Sequence, residues 1–522
     1  MQSLCLAWGV WIGFVCLVGS ARAEGGAPDA EMRKLIEQLA DQLQEKASGR
    51  RRSAVRKLAK LDDADGWGLV LSALDDPKGE VADEAQLAIA QIEGERQVKE
   101  LLGRDGLRSK QEWVRVRVAE ALGRMEVTLP MREVGRALDP RDVESCSALL
   151  WSVERLADAG HVKDDADKLV REVDDCLSKR VDARVRAAGV SALVALACAA
   201  SVGDLEGVVR EDLVRDFMRL AGDKSSEVRC AWVAGLARLG GDANCSKMIA
   251  CLADRAANVR LQAVESLLSV ADRRVLEALS DQLERESNDR VISRIVTGLR
   301  AVTGMKYRAD PRSWKRWLEG VSEDWVGMQP SGKTAVYEDG MSRAKLAGLP
   351  LPKGAMVFLV DFSGSTWSQR IGTRTRKEVL DETIRDALTA LPETARFNVV
   401  PYTAQPLPWR ESVELAKRRA VRDALEYFED CKANGPGNVF DALMFAFSDP
   451  DVESIVLLTD GAPSGGRRWN LGLMVELLRQ ANRYRKLSID VVLVGASSRL
   501  HRYWEEVAAD SGGRCLEARL GG

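Results

Sequence analysis

The chain has 522 residues, of which 46% are hydrophobic, so it is long and apolar enough for more than one packed core. Its 76 Lys and Arg residues nearly balance its 79 Asp and Glu residues, giving a formal net charge of -3. This balance disfavours nucleic-acid binding, which needs a basic surface. With only His161 and His501, the sequence excludes sites built on several imidazoles, including most catalytic zinc sites.

The first 23 residues have the pattern of an export signal. An apolar run from Leu4 to Val18 is followed by Ala21, Arg22 and Ala23, the A-x-A form of a signal-peptidase site. We expect cleavage after Ala23 and a location in the periplasm, the cell envelope or the extracellular space. The alternative is an uncleaved membrane anchor, and only in that case is contact with a membrane expected.

Eight cysteines follow the predicted cleavage site, and they form no C-x-x-C pair. This arrangement indicates neither a zinc ribbon nor a disulfide miniprotein. Most of them lie in apolar, helical surroundings, which favours buried thiols. Disulfides are the alternative, because exported chains can form them.

Residues 30–318 carry a repeated helical pattern. A valine recurs at intervals of about 31 to 43 residues, with one gap of 71, and apolar or small residues stand four and eight positions after each valine. This spacing places an apolar stripe on one helix face, and the period indicates a solenoid of helix pairs. The recurring valines are Val81, Val114, Val185, Val228, Val259 and Val291.

An arginine follows the valine at Val185-Arg186, Val228-Arg229 and Val259-Arg260. The pattern resembles HEAT repeats, in which Val-Arg at the start of the second helix is typical. The resemblance implies an all-α solenoid whose stacked pairs leave a concave face that binds a second protein. A passive spacer is the alternative. Residues 319–353 mix Gly, Pro, Ser and charged residues without periodicity, which is typical of a linker.

From residue 354 to about 520, strands alternate with helices. Apolar strand-like runs are Ala355–Val360, Phe397–Thr403, Ser454–Thr459 and Ile489–Val494. Amphipathic helical segments separate them, so we predict a mostly parallel sheet covered on both faces, an α/β, Rossmann-like, doubly wound domain.

Four oxygen-bearing side chains follow two of these strands. Asp361, Ser363 and Ser365 come after the first strand, and Asp460 follows Ser454–Thr459 in the sequence LLTDG. The carboxyl ends of strands form the ligand crevice of such a sheet. A carboxylate in each loop, with hydroxyls and no imidazole or thiolate, suits a hard divalent cation, Mg²⁺ first, with Mn²⁺ or Ca²⁺ as alternatives.

D-x-S-x-S after a buried strand, followed by a second strand ending in T-D-G, resembles the von Willebrand factor type A domain. The resemblance implies a metal ion-dependent adhesion site formed by Asp361, Ser363, Ser365, Asp460 and a threonine from a Gly-rich loop. Gly437, beside Asn438, stands at the threonine position. Water, a backbone carbonyl or the Asn438 amide can replace the missing hydroxyl, or the site is degenerate and metal-free, with structural serines.

Two tryptophans and two arginines follow the predicted metal loops closely. Trp367 and Trp469 are either contacts for a partner or residues that pack helix starts onto the sheet. Arg467 and Arg468 either hold a phosphate or an acidic partner, or belong to an ordinary surface loop. Ser363 lacks the G-x-S-x-G flanks of a nucleophile, so hydrolase chemistry is disfavoured.

Together, these patterns predict an exported, non-enzymatic adhesion or assembly scaffold. In this hypothesis the cation binds the carboxylate of an Asp or Glu exposed on a protein partner. One alternative is a scaffold whose metal site is dead, and a less favoured one is a hydrolase that uses a metal-activated water.

Overall fold

The computed structural model describes residues 30–61, 63–163, 166–200, 217–328 and 344–518. The predicted export segment, residues 1–23, lies outside the described residues. Within the described ranges, none of the helices combines the length and the apolar character needed to cross a membrane.

The N-terminal region is a stack of helices around one continuous apolar core. Its α-helices are Ala30–Leu43, Ser48–Leu58, Ala64–Ser72, Gly79–Ile89, Glu95–Leu101, Glu112–Leu122, Met131–Gly135, Val143–Asp158, Ala166–Asp175, Ala183–Ala200, Ser226–Leu239, Asp242–Ala250, Ala257–Val270, Arg273–Arg285, Asp289–Thr303 and Pro311–Leu318. The six recurring valines all lie within these helices and are at most 1% exposed. The prediction of an all-α solenoid is therefore confirmed.

The arginines of the Val-Arg pairs connect consecutive repeats. Each guanidinium binds the carboxylate of an acidic residue between 25 and 37 positions later in the chain, at the beginning of the next helical unit. The pairs are Arg186–Asp223, Arg229–Asp254 and Arg260–Glu286, each with a nitrogen-to-oxygen distance of 2.8 Å. Charged groups this poorly exposed are held in fixed geometry, so each pair sets the register between neighbouring repeats.

The two described parts of the predicted linker, residues 319–328 and 344–353, each pack on a neighbouring domain. Residues 319–328 pack on the end of the solenoid, where the Gly327 amide donates to the Ala271 carbonyl at 2.9 Å and the Met328 amide donates to the Val302 carbonyl at 2.8 Å. At the other end, the two-residue strands Lys345–Leu346 and Leu349–Pro350 pair in an antiparallel hairpin.

This hairpin belongs to the C-terminal domain. Leu346, Leu349 and Leu351 are fully buried and join the apolar core on one face of the central sheet. The hairpin turns at Ala347 and Gly348, both with positive φ. Residues 344–351 therefore pack on the domain predicted from residue 354, because three leucines spaced through a polar stretch supply apolar surface to bury.

The C-terminal domain contains a six-stranded sheet. Its strands are β1 (Ala355–Asp361), β2 (Arg396–Tyr402), β3 (Glu414–Leu415), β4 (Ser454–Thr459), β5 (Ser488–Leu493) and β6 (Cys515–Glu517). The spatial order is β6-β5-β4-β1-β2-β3, and the pairs are parallel except β2 with β3. The helices are Gly364–Ser368, Arg376–Thr389, Arg418–Asp430, Val439–Ser448, Leu471–Asn482 and Ser498–Ser511.

Separate apolar cores cover the two faces of the sheet, which confirms the predicted doubly wound α/β domain. The central strands lie within one or two residues of their predicted bounds. Helix Arg418–Asp430 begins after Glu414 and Leu415, because these two residues pair with β2 at the edge of the sheet.

The order of the strands fixes where a ligand can bind. From β1 the chain continues to β2 on one side, and it later returns to β4 on the other side of β1. Adjacent strands whose connections leave in opposite directions open a crevice at their carboxyl ends. Asp361 ends β1 and Asp460 directly follows β4, so both carboxylates stand at this crevice.

The two domains are packed against each other. Helix Leu471–Asn482, the loop before it and residues 483–487 contact helices of the solenoid from Gly79–Ile89 to Asp289–Thr303. These contacts include Arg124–Glu476, Glu154–Arg483, Ser191–Tyr484, Asn258–Tyr484, Glu265–Lys486 and Arg290–Lys486. Most of the helices involved carry one of the recurring valines, and helix Val143–Asp158 contributes Glu154, so this face of the solenoid is covered in part by the chain itself.

Candidate functional site

The structure brings the four predicted side chains together. Ser365 Oγ donates to Asp460 Oδ2 at 2.5 Å, and Ser363 Oγ lies 3.1 Å from Ser365 Oγ. The backbone amide of Ser363 donates to Asp361 Oδ1 at 2.8 Å. Asp361 is 4% exposed, whereas the Asp460 side chain is 21% exposed. The cluster thus has one buried carboxylate and one that solvent can reach.

Local sequence explains how Asp361 is presented. All seven residues of β1 are buried, so the strand runs through the core and ends at this carboxylate. The next turn begins helix Gly364–Ser368, and Thr366 Oγ1 donates to the Asp361 carbonyl at 2.7 Å. The D-x-S-x-S-T sequence therefore folds back on itself and directs its polar groups toward the crevice.

Two hydroxyls that the sequence analysis did not identify hold the same carboxylate. Tyr402 Oη donates to Asp361 Oδ2 at 3.2 Å, and Thr459 Oγ1 donates to the same oxygen at 3.0 Å. Tyr402 ends β2 and Thr459 ends β4, so both flank β1. Because both residues end strands that neighbour β1, their positions in the sequence could have indicated that they lie beside Asp361. The other oxygen, Oδ1, accepts the Ser363 amide and faces the Gly437 loop.

The electrostatics of the site favour a bound cation. Burial raises the pKa of Asp361, and the nearby negative charge of Asp460 raises it further, while hydrogen bonds from Ser363 and Thr459 oppose the shift. Burial and the charge of Asp361 also raise the pKa of Tyr402 well above its ordinary value. A cation between the two carboxylates would relieve their repulsion.

Arg376 is a charged neighbour that the sequence pattern did not indicate. It is the first residue of helix Arg376–Thr389 and is 9% exposed. Its Nη1 lies 3.5 Å from Asp460 Oδ2. The guanidinium therefore offsets part of the negative charge on the solvent side of the site.

The Gly-rich loop lies against the site at Gly437. A Cβ atom added to Gly437 would lie 3.5 Å from Asp361 Oδ1. Asn438 is directed elsewhere: its Nδ2 donates to the Ala404 carbonyl at 3.0 Å and to Asp441 Oδ2 at 2.6 Å. The Asn438 side chain also caps helix Val439–Ser448, so its amide is engaged in holding the loop and does not replace the missing threonine.

This donor set fits a hard divalent cation. Two carboxylates and two serine hydroxyls converge, and Mg²⁺ commonly completes its coordination with water. Within the described ranges, no group of three or more His, Cys, Asp and Glu residues is placed to hold a metal ion, so the candidate site depends on its serine hydroxyls as well as on two carboxylates.

The two predicted tryptophans have different surroundings. Trp367 Nε1 donates to the Ala433 carbonyl at 2.9 Å, and its ring packs edge-on against Phe362, so it joins helix Gly364–Ser368 to the segment before the Gly-rich loop. Trp469 is 37% exposed, and the Arg52 guanidinium lies 5.2 Å from the centre of its ring. Trp469 therefore contacts the solenoid of the same chain.

Arg467 and Arg468 bind acidic groups of the solenoid. Arg468 is 4% exposed and donates to Gln86 Oε1 at 2.9 Å and to Glu120 Oε1 at 2.6 Å. Arg467 donates to Asp75 Oδ1 at 3.1 Å. Both arginines therefore bind groups within the same chain, so they belong neither to an ordinary surface loop nor to a site free for a phosphate or an acidic partner.

Asp83 fixes the backbone of the same loop. It is 1% exposed and forms an ion pair with Arg117 at 2.7 Å. Its other oxygen, Oδ2, accepts the amides of Trp469 at 2.7 Å and Asn470 at 2.6 Å. Residues 467–470, which follow the Asp460 turn, are thus held by buried charges of the solenoid.

Comparisons with known proteins agree with these two regions. A model of HEAT repeats matches residues 215–300, and a model of the von Willebrand factor type A domain matches residues 354–515. The human von Willebrand factor A domain-containing protein 3B is 27% identical over 136 residues, 26% of this chain and 10% of that protein. The inter-alpha-trypsin inhibitor heavy chain H2 of Mesocricetus auratus is 30% identical over 129 residues, 22% of this chain and 13% of the relative.

Two solved structures align with parts of this chain at low similarity. A von Willebrand factor type A protein from Catenulispora acidiphila aligns with a TM-score of 0.28 and 19% identity, covering 33% of this chain and 40% of that one. Human deoxyhypusine hydroxylase aligns with a TM-score of 0.21 and 19% identity, covering 52% of this chain and 96% of the hydroxylase chain. The curated relatives are matched over only 10% and 13% of their own length. The chain contains a HEAT-repeat region followed by a von Willebrand factor type A domain, a protein-interaction domain.

Proposed function

We propose that the chain is an exported, non-enzymatic adhesion or assembly protein. Its von Willebrand factor type A domain binds a divalent cation, Mg²⁺ first, through Asp361, Ser363, Ser365 and Asp460. The cation then binds a carboxylate from an Asp or Glu of a protein partner. The observation that carries this proposal is the convergence of the two carboxylates and two hydroxyls, with Ser365 Oγ 2.5 Å from Asp460 Oδ2.

The balance of charge supports an anionic ligand. Asp361 and Asp460 carry two negative charges when ionised, and Arg376 contributes one positive charge 3.5 Å from Asp460. A divalent cation would leave the cluster with a net charge of about +1, counted from these groups. Such a site attracts a carboxylate, and the exposed side of Asp460 gives access to it.

The neighbours of the serines support a non-enzymatic role. Ser363 Oγ contacts Ser365 Oγ at 3.1 Å and also hydrogen-bonds the Asp361 carboxylate, which the proposal assigns to the cation. His501 lies on helix Ser498–Ser511, where its Nδ1 is 3.5 Å from Glu505. A serine nucleophile needs a base within hydrogen-bond distance.

Titration of the full chain with Mg²⁺ and Mn²⁺ in a calorimeter tests the cation site. We expect saturable binding that is lost in Asp361→Ala and Asp460→Ala. Asp451→Ala is the matched control, because Asp451 is an exposed carboxylate paired with Arg396 before the start of β4. Binding in all four proteins alike, or in none, would favour the alternative of a metal-free scaffold.

Acetate tests whether the bound cation accepts a carboxylate. With Mn²⁺ bound to the full chain, the methyl protons of acetate should relax faster than those of acetamide, its neutral analogue. Asp361→Ala should remove this difference. Equal relaxation of the two probes would contradict carboxylate capture, and turnover of a substrate that depends on Asp361 would contradict the non-enzymatic role.

Export has a separate test. Mass spectrometry of the chain recovered from its native cell envelope should give a mature N-terminus at Glu24. A chain that begins at Met1 and stays in the membrane fraction would favour the anchor instead.

A further inference from the structure

Gly437 leaves a space beside the buried carboxylate. A Cβ atom added there would lie 3.5 Å from Asp361 Oδ1 and 3.3 Å from Ser363 Cβ, so any side chain at this position would face the cluster. The φ angle of Gly437 is not in the positive range that favours glycine. Backbone conformation therefore does not explain the glycine, and the neighbouring atoms must.

Ser464 lies at this space. Its Oγ would be 3.5 Å from the same added Cβ atom, and it accepts the Gly437 amide at 2.8 Å. The amides of Ser464 and Gly465 both donate to the Gly437 carbonyl, at 3.0 Å and 3.2 Å. Three hydrogen bonds thus join the two loops at one residue, and they place a hydroxyl beside the position where the family pattern has its threonine.

We propose that Ser464 is a further ligand of the cation, replacing the hydroxyl that Gly437 lacks. This inference rests on the proposed cation site. A serine hydroxyl has two lone pairs, and the Gly437 amide engages one of them, which leaves the second for a cation. A neutral hydroxyl oxygen belongs to the ligand class that Mg²⁺ prefers.

The solenoid holds the loop that carries Ser464. Two residues later, the Gly466 carbonyl accepts the Gly79 amide at 3.3 Å. Arg468, four residues after Ser464, is buried against Gln86 and Glu120. The proposed ligand is therefore positioned by contacts on both sides: the Gly437 loop of its own domain and the solenoid helices Gly79–Ile89 and Glu112–Leu122.

Exchange of the ligand atom tests direct coordination. In the full chain, Ser464→Ala should weaken Mg²⁺ binding by about tenfold, the lower end of the effect of losing a group that supports a metal site. Ser464→Cys should weaken Mg²⁺ binding while strengthening Cd²⁺ binding, because a thiolate prefers a softer ion. Ser448→Cys is the matched control for an added thiol, since Ser448 is an exposed residue at the end of helix Val439–Ser448.

A second variant separates coordination from loop structure. Gly437→Thr should restore Mg²⁺ affinity in the Ser464→Ala chain, because the new hydroxyl enters the same space. If Ser464 only supports the loop, Ser464→Cys will not change the ratio of Cd²⁺ to Mg²⁺ affinity relative to Ser448→Cys, and this result would overturn the inference.

The test also distinguishes this inference from the proposed function. If the unmodified chain binds Mg²⁺ and Asp361→Ala does not, but the Ser464 variants bind like the unmodified chain, then only the role of Ser464 is wrong. If the unmodified chain binds no cation, both the proposed function and this inference fail.

Discussion

The two loops that form the candidate site are held in different ways. The loop after β1 is held within its own domain, where Ser363, Tyr402 and Thr459 donate hydrogen bonds to the Asp361 carboxylate. The loop after β4 is held from outside, because Arg468 and the amides of residues 469 and 470 bind buried groups of the solenoid. One half of the site therefore depends on the folding of its own domain, and the other half depends on contact between domains.

The largest expected effect comes from removing Asp83. Asp83→Ala leaves the 1% exposed Arg117 without its carboxylate and removes the acceptor of two loop amides. Breaking a buried ion pair from one side costs about 3–5 kcal/mol. We expect the free energy of unfolding, measured by urea titration, to fall by that amount. Asp65→Ala, at an exposed residue of the preceding helix, should leave it nearly unchanged. Equal values for both variants would contradict a stabilising role for Asp83.

A milder variant tests whether the interface affects the cation site. Asp83→Asn keeps the side chain's size but weakens its hold on the loop after β4. We expect the Mg²⁺ dissociation constant to rise about fivefold, the low end of coupling between sites. Glu265→Gln is the control, because it disturbs the contact with Lys486 away from this loop. If both variants change the Mg²⁺ dissociation constant equally, the result would contradict a specific link between Asp83 and the cation site through residues 460–470.

A single hydroxyl at the centre of the interface should have a smaller effect. Tyr484 Oη and Ser191 Oγ form a buried hydrogen bond between the domains. Tyr484→Phe should lower the free energy of unfolding by about 1 kcal/mol, the usual net value of one such bond. Tyr503→Phe, a partly buried tyrosine of helix Ser498–Ser511, serves as the comparison in the same urea titration. No difference between the two would mean that this bond is not formed in solution.

The smallest effect concerns the reactivity of one thiol. Cys230 is fully buried, and burial raises its pKa to about 12, although the charge of Lys486 acts in the opposite direction. A thiol in this state reacts slowly, since the thiolate is the nucleophile. Lys486→Ala should therefore raise the pKa of Cys230 further and slow its alkylation by iodoacetamide, read by mass spectrometry, while the labelling of Cys146 in the solenoid core stays unchanged. Faster labelling of both cysteines would indicate general loosening of the solenoid.

Local patterns predicted much of the fold and the centre of the site. Hydrophobic runs of six or seven residues identified β1 and β4, and the polar residues that follow them led to Asp361 and Asp460. The helical period led to the solenoid valines, because every repeat buries the same face. Each of these predictions needed only residues that are close together in the chain.

The rest of the site depends on distant contacts that no local pattern encodes. Arg468 and Gln86 are 382 positions apart in the chain. The sequence alone therefore could not decide whether Arg468 is an ordinary surface arginine or a residue that binds an acidic group. Arg376 reaches Asp460 only because the two helical connections meet at the crevice. Ser464 lies in a Ser-Gly-Gly turn of a common kind, so the sequence does not distinguish it. Only its contact with Gly437 in the folded chain places it beside the candidate site.

The row of contacts along helix Leu471–Asn482 and residues 483–487 also has a mechanical consequence. A solenoid in which each repeat touches only its neighbours can bend or stretch by small changes at every junction between repeats. Here the C-terminal domain binds repeats at Asp83, Glu154 and Arg290, which are far apart along the solenoid. The domain therefore restricts bending of the solenoid, and part of any tension applied to the solenoid would act on the segment that follows the Asp460 loop.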